Sequence, residues 1–153
     1  MRPLRVPRHL VDETARALMG RGERTALWQF TEPPGALMTV RRVVTPAQES
    51  IHTPFGHLVH VTGAELARVQ LDAYRLGLRT WVQLHTHPAS DVRMSDTDRE
   101  WAIADFPGAL SVIVPRFARD GLIGWPGVAV HERHDDGWRR WTRREILTNL
   151  VMT

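Results

Sequence analysis

Apolar and polar residues alternate along this chain with two different periods, and the changes of period divide it into elements. In RHLVDETARALMG, Leu10, Val11, Ala15, Ala17 and Leu18 form an amphipathic helical pattern that Gly20 and Gly22 stop. RTALWQF then reads as a strand, EPPG as a turn and ALMTVRRVVT as a second strand, which together predict a hairpin. After a loop, HLVHV is short and strand-like. TGAELARVQLDAYRLG follows, with Thr62 and Glu65 at capping-box spacing, Leu66, Val69, Ala73 and Leu76 on one face, and Gly77 at its end. RTWVQLHTH reads as a strand broken by Pro88, and SDTDREWAIADF as a helix beginning near Ser95. ALSVIVP is a continuous apolar run, the pattern of a central strand covered on both faces. GVAVHER, the turn DDG and WRRWTRR predict a last hairpin, and EILTNLVM a closing helix. Strands interleave with helices and hairpins stand at both ends, so the fold class is α/β or α+β with one mixed sheet flanked by helices.

Length and composition narrow this picture. At 153 residues, a folded chain buries roughly 68 to 70% of its unfolded surface; with no repeat, low-complexity stretch or linker, one domain over 1–153 is expected. A hydrophobic content of 42% and a charged content of 24% exclude a wholly disordered chain. No stretch approaches the ~20 apolar residues of a membrane helix, and the N-terminus lacks the apolar core of a secretory signal, so a cytoplasmic location is expected. The absence of cysteine excludes disulfides, thiolate zinc sites and a cysteine nucleophile, leaving histidine, carboxylates, hydroxyls or a metal for any catalysis. All 20 basic side chains are arginine, yet the net charge is only +3. The short clusters at 41–42, 139–140 and 143–144 suit a solvated face, with an Arg-rich nucleic-acid-binding module as the alternative from another class.

The chemistry concentrates in WVQLHTHPASDVRMSDTD, residues 81–98. Side chains alternate along a strand, so His85 and His87 point to the same face and Pro88 ends the strand behind them. Asp98 falls in the first turn of the next helix, within reach if the loop folds back. Two imidazoles and a carboxylate, with a fourth position for water, are the ligand composition of a catalytic zinc site. The plainer reading is a pair of edge histidines with an aspartate that only favours the helix dipole.

HTHP followed by Ser95 and Asp98 resembles the metalloprotease signature of the JAMM or MPN-plus family, HxHP, a short loop, then SxxD. The order of helices and strands resembles that family over most of the chain. The resemblance implies a cytidine-deaminase-like JAB/MPN fold with a mixed, mostly antiparallel sheet. It also implies one Zn²⁺ held by His85, His87 and Asp98, a hydrogen bond from Ser95 to the developing oxyanion, and an upstream glutamate as general base. Glu23 stands at the corresponding place, although Arg24, Thr25 and Ala26 replace the glycines that relatives commonly carry there. Glu49, in a loop, and Glu13, within a helix, are the rival candidates. Ser95 serves equally well as a helix cap on this spacing.

By the same resemblance the implied activity is that of an isopeptidase or peptidase acting after the C-terminal tail of a ubiquitin-like protein. The implied partners are E1-like and E2-like conjugation proteins, the implied setting a bacterial and in some relatives antiphage system. A sulfur-carrier or small-molecule amide is the alternative substrate. Among such ligases a chain without lysine offers no acceptor, although arginine-favouring codon usage explains the composition as simply. His131 and His134 in HERHDD only superficially resemble a zincin motif. His52, His57 and His60 read as surface or hydrogen-bonded residues, one of which lines a substrate cleft on the sharper reading. Trp125 stands in a loop, where it is a candidate contact residue.

Overall fold

The chain enters its structure, a computed structural model describing residues 3–54 and 56–153, through β1 (Leu4–Val6), a strand too short to show a period. α1 (Arg8–Leu18) buries Leu10, Val11, Thr14 and Leu18. Thr14 donates to the Leu10 carbonyl at 2.6 Å and accepts from Trp28 Nε1 at 2.9 Å, so the one polar group on that face is satisfied inside the core. β2 (Thr25–Phe30) is buried at every position. The stretch 36–45 is not one strand but two: β3 (Met38–Thr39) pairs with β1, and β4 (Arg42–Val44) pairs antiparallel with β2. Val40 N–H donates to the Arg5 carbonyl and Arg41 N–H to the Gln29 carbonyl, each at 2.9 Å. The backbone thus changes sheets between adjacent residues, and the buried positions shift phase there, from Met38 and Val40 to Val43.

The stretch read as a loop contains β5 (Glu49–Thr53), which pairs antiparallel with β6 (Gly56–His60). β5 is almost wholly exposed, so it has no buried face to leave an apolar signature. α2 (Gly63–Arg75) is capped as expected, Thr62 Oγ1 accepting from Glu65 N–H at 3.1 Å, but the Glu65 carboxylate turns to Ala47 N–H at 2.5 Å instead of closing the box. Its buried face holds Val69 and Ala73 and stops short of Leu76, which is 59% exposed. β7 (Arg79–Thr86), α3 (Asp96–Glu100), β8 (Leu110–Val114), β9 (Ala129–His134) and β10 (Gly137–Arg140) follow the expected order. The closing segment divides: α4 (Arg143–Asn149) opens on a capping box between Thr142 and Glu145, and β11 (Leu150–Met152) pairs with β1 in parallel.

Among the described residues the main sheet has six strands in the order β10-β9-β8-β7-β2-β4. β7 and β8 run parallel and the other neighbours antiparallel, so the sheet is mixed and mostly antiparallel. One face carries the larger core, where α1, α4 and the β11-β1-β3 sheet close over Trp28, Phe30, Leu84 and Val112. Trp125 belongs there too: it is 2% exposed, donates to the Leu150 carbonyl at 3.0 Å and meets Trp28 edge to face, so it is a packing residue and not an exposed contact. The other face holds Val92, Met94, Ile113 and Ala129 beneath Trp138, and beside them His85 of β7. No helix among the described residues is long and apolar enough to cross a membrane.

Candidate metal centre and catalytic cleft

β7 delivers both histidines. His85 lies between Thr25 of β2 and Ile113 of β8, and one residue past the strand the His87 N–H still donates to the Val114 carbonyl at 2.9 Å. Beyond Pro88 the loop returns to α3, whose capping box joins Ser95 and Asp98: Asp98 N–H donates to Ser95 Oγ at 3.1 Å, and Ser95 N–H to Asp98 Oδ2 at 2.9 Å. The spacing of serine and aspartate therefore sets the helix start and aims the carboxylate at the histidines.

The three side chains converge. His85 Nε2 and His87 Nε2 are 3.1 Å apart, and the Asp98 oxygens stand 3.1 Å from His85 Nε2 and 3.2 Å from His87 Nε2. His87 Nδ1 faces the Asp91 carbonyl at 2.8 Å, which fixes the ring proton there and leaves the Nε2 lone pair directed at the shared point. Such convergence of lone pairs and a carboxylate is the donor set of a cation. Ligand distances of ~2.0 to 2.2 Å in tetrahedral array separate neighbouring donors by roughly 3.3 to 3.5 Å, close to the spacing found, so the residues fit a metal ion. Burial alone would raise the Asp98 carboxyl, but hydrogen bonds with His85, His87 and Ser95 hold it well below the carboxylate range. Burial likewise works against charge on His87, and the contacts with Asp98 and the Asp91 carbonyl outweigh it, leaving that ring above its ordinary value.

Glu23 arrives from the neighbouring strand. Arg24 and Thr86 exchange bonds at 3.0 Å, Arg24 N–H to Thr86 Oγ1 and Thr86 N–H to the Arg24 carbonyl, which continues the Thr25–His85 register so that Glu23 stands opposite His87. Burial pushes its carboxyl up to about 7, with the His87 charge opposing and the Asp98 charge adding. Glu13 and Glu49 are both exposed, on α1 and β5, and neither lines the cleft. The Gln48 side chain bonds both the N–H and the carbonyl of Thr25, and the Ser50 hydroxyl donates to the Glu23 carbonyl, so the β5–β6 hairpin is fastened to the strand that carries the glutamate. A Cβ on Gly22 would lie 2.7 Å from Ser50 Cβ and Oγ. Gly22→Ala is therefore expected to displace this anchor and lower kcat by roughly tenfold or more, since small misplacements of catalytic groups are costly; steady-state kinetics of the variant at full metal content checks it.

These residues line a cleft of about 1760 Å³ between the β5–β6 hairpin and the β9–β10 edge. Two further histidines line it: His57, stacked on His52 at 4.4 Å, which bears out the sharper reading of that loop, and His131, buried opposite Ser111, which the sequence did not pick out. His131 was legible only through that cross-strand register, since its motif context is misleading. Beyond β8 the backbone takes a left-handed turn through Arg116, Phe117 and Ala118, with φ of 55°, 52° and 61°. Such a conformation costs ~1 to 2 kcal/mol per residue. Here the Phe117 N–H donates to the His87 carbonyl at 2.9 Å, so the strained turn holds the backbone of a ligand strand.

The fold and this site together define a metal-dependent hydrolase that uses two histidines and an aspartate. No protein-family model matches the chain. A probable metalloprotease of Sinorhizobium fredii is 33% identical over 124 residues, covering 78% of this chain and 75% of that protein. Among solved structures, a protein from Desulfitobacterium hafniense aligns with a TM-score of 0.63 at 16% identity, over 98% of this chain and 92% of that one. A Salinibacter ruber protein aligns with a TM-score of 0.58 at 18% identity, over 97% and 91%. These two likenesses concern the fold alone. With its curated relative, its HxHP and SxxD residues and the convergence of His85, His87 and Asp98, the chain belongs to the JAMM/MPN metalloprotease family.

Proposed function

We propose that this protein is a zinc peptidase that hydrolyses the amide or isopeptide bond after the C-terminal tail of a ubiquitin-like protein. What supports the reading is Glu23, buried in the same cleft lining as His85, His87 and Asp98 with its carboxyl pushed up to about 7. His85, His87 and Asp98 would hold the zinc ion, which when bound polarises the scissile carbonyl and acidifies a water. Glu23 takes a proton from the attacking water on a carboxylate oxygen and returns it to the departing amine nitrogen; a base whose pKa lies near working pH suits both transfers. Ser95 Oγ accepts the Asp98 N–H with one lone pair, which leaves its own O–H free to donate to the carbonyl oxygen as charge develops. Capping and catalysis thus use different parts of one hydroxyl. The β5–β6 hairpin offers the wall along which an extended tail would bind. E1-like and E2-like proteins of the same bacterial conjugation system, antiphage in some settings, are the partners this reading implies.

The test is incubation of the zinc-loaded protein with a C-terminally extended ubiquitin-like protein encoded beside it, comparing wild type, Glu23→Ala and Glu49→Ala. Cleavage by wild type and Glu49→Ala, absent in Glu23→Ala and after chelation, is the expected pattern; cleavage by Glu23→Ala sinks the assignment. For Ser95→Ala the expected result is a fall in kcat of ~10²-fold or more, with a stability loss of only ~1 kcal/mol because the cap serves a short, exposed helix. Kinetics and thermal melting of the same sample separate the two effects. A large loss of stability with nearly normal turnover would confine Ser95 to capping.

A further inference from the structure

The two ends of the cleft differ in chemistry. At the hairpin end Leu58, Val59 and Val61 line it; at the β9–β10 end the lining side chains are His131, Trp138 and Arg140. The sheet builds this second end. Arg140 stands opposite His131, His131 opposite Ser111, and Ser111 beside Gln83, two residues before His85. Trp138, two residues before Arg140 and so on the same face, packs against the Ile113 and Ala129 cluster and fixes the strand that carries the arginine.

Gln83 and Ser111 are hydrogen-bonded to each other at 3.4 Å, while Arg140 reaches out from the exposed end of its strand and His131 opposite it is buried. Arg93 pairs with Asp91 at 2.8 Å and Arg99 with Asp96 at 3.2 Å, whereas Arg140 makes no ion pair or hydrogen bond among the described residues. His131 is 6% exposed and its Nδ1 hydrogen-bonds nothing. Burial first, then the charge of Arg140, lowers this ring to about 4 against a hydrogen bond with the Ser111 backbone that raises it, so the ring is neutral and carries one N–H. Of the carboxylates lining the cleft, Glu23 and Asp98 belong to the centre, Asp91 is paired, and Glu100 sits at the exposed end of α3. A buried polar nitrogen left unpaired costs ~1 to 3 kcal/mol; in the tautomer with its proton on Nδ1 His131 donates, and a guanidinium beside it matches a carboxylate in geometry and charge.

We propose that Arg140 and His131 form a carboxylate subsite beside the metal centre, which holds a carboxylate on the amine half of the substrate. The proposal rests on the hydrolase reading and names its leaving group: an amino acid or short peptide with an acidic group near the scissile nitrogen. The apolar hairpin end takes the acyl tail and the cationic end takes the amine half, with the metal ligands between them. A simple alkylamine leaving group would leave Arg140 and His131 unfilled.

The experiment uses an acyl-Gly-Gly-Ala peptide as the free acid and as the C-terminal carboxamide. Calorimetric titration of zinc-loaded Glu23→Gln protein is expected to show the acid binding about tenfold tighter or more, the weight of one charge-assisted hydrogen bond. Adding Arg140→Gln is expected to reduce that ratio to about one, and Arg140→Lys to restore part of it. In turnover by the otherwise wild-type protein, the same preference should appear in KM. Equal binding of the two peptides, or binding of neither, overturns the subsite. Equal benefit from a glutamate in the acyl half overturns its assignment to the amine half. Preferential binding of the acid with no cleavage of either peptide would support the subsite and count against the hydrolase reading, so the two fail separately.

Discussion

Glu23→Gln is expected to lower turnover by at least ~10²-fold, the usual contribution of a positioned general base, while leaving the metal content of the protein unchanged. The amide matches the carboxylate in size and cannot take a proton, so the loss reports chemistry and not packing. The wild-type rate should fall with acid as Glu23 becomes protonated, tenfold per pH unit below its effective pKa. In the metal-free site that carboxyl is pushed up to about 7; a neighbouring divalent charge favours the ionised form and moves the acid limb lower. Glu23→Gln should lack this limb. Stability gives a second readout, with the sign fixed by the direction of the shift. A carboxyl raised from 4.5 to about 7 on folding contributes stability below pH 4.5 that is lost as pH rises through 7. Metal-free Glu23→Gln should therefore melt above wild type at pH 8, and the difference should shrink toward pH 5. A variant as active as wild type, or a metal-free variant that melts lower at pH 8, would remove Glu23 from the role.

The histidine strand, its termination by Pro88, the serine-capped return helix and the buried ALSVIVP strand were all legible because each has a local cause: alternation, a missing N–H, a hydroxyl cap, a covered face. What escaped was non-local. β1, β3 and β11 are two or three residues long and exist because they find one another, with Leu4 between Leu150 and Met38. The hairpin strand at Glu49–Thr53 hides for the opposite reason, since its side chains face water. Glu23 was reachable only through the analogy of family order, and what places it is the pairing of Thr25 with His85, 60 residues away in sequence. The glycines expected after it are absent, and Ala26 fits there with no exposed surface.

Removing Asp98 should do more than remove one ligand. Asp98→Ala and His85→Ala are both expected to weaken metal binding by at least ~10²-fold, enough to cut the about 2.7 kcal/mol of stabilisation by metal present at 100 times the native dissociation constant to about 0.4 kcal/mol or less. Only Asp98→Ala also opens the capping box with Ser95, so without metal it should lose ~1 kcal/mol more than His85→Ala. The pH dependence follows from the pair. Asp98 is held below its ordinary 3.8, so it contributes stability above that pH which is lost as pH falls through its folded value. His87 is held above 6.5, so its contribution is complete below 6.5 and is lost as pH rises through its folded value. The metal-free protein thus draws most from these contacts between about pH 4 and 6.5. Above that window the imidazole proton leaves and a bound cation takes its place, because metal ligation requires the neutral ring. Chelation should therefore lower the melting temperature more at pH 8 than at pH 5.5 in wild type, and by nearly nothing at either pH in Asp98→Ala. A chelator effect that is independent of pH, or that survives in Asp98→Ala, would place the ion elsewhere.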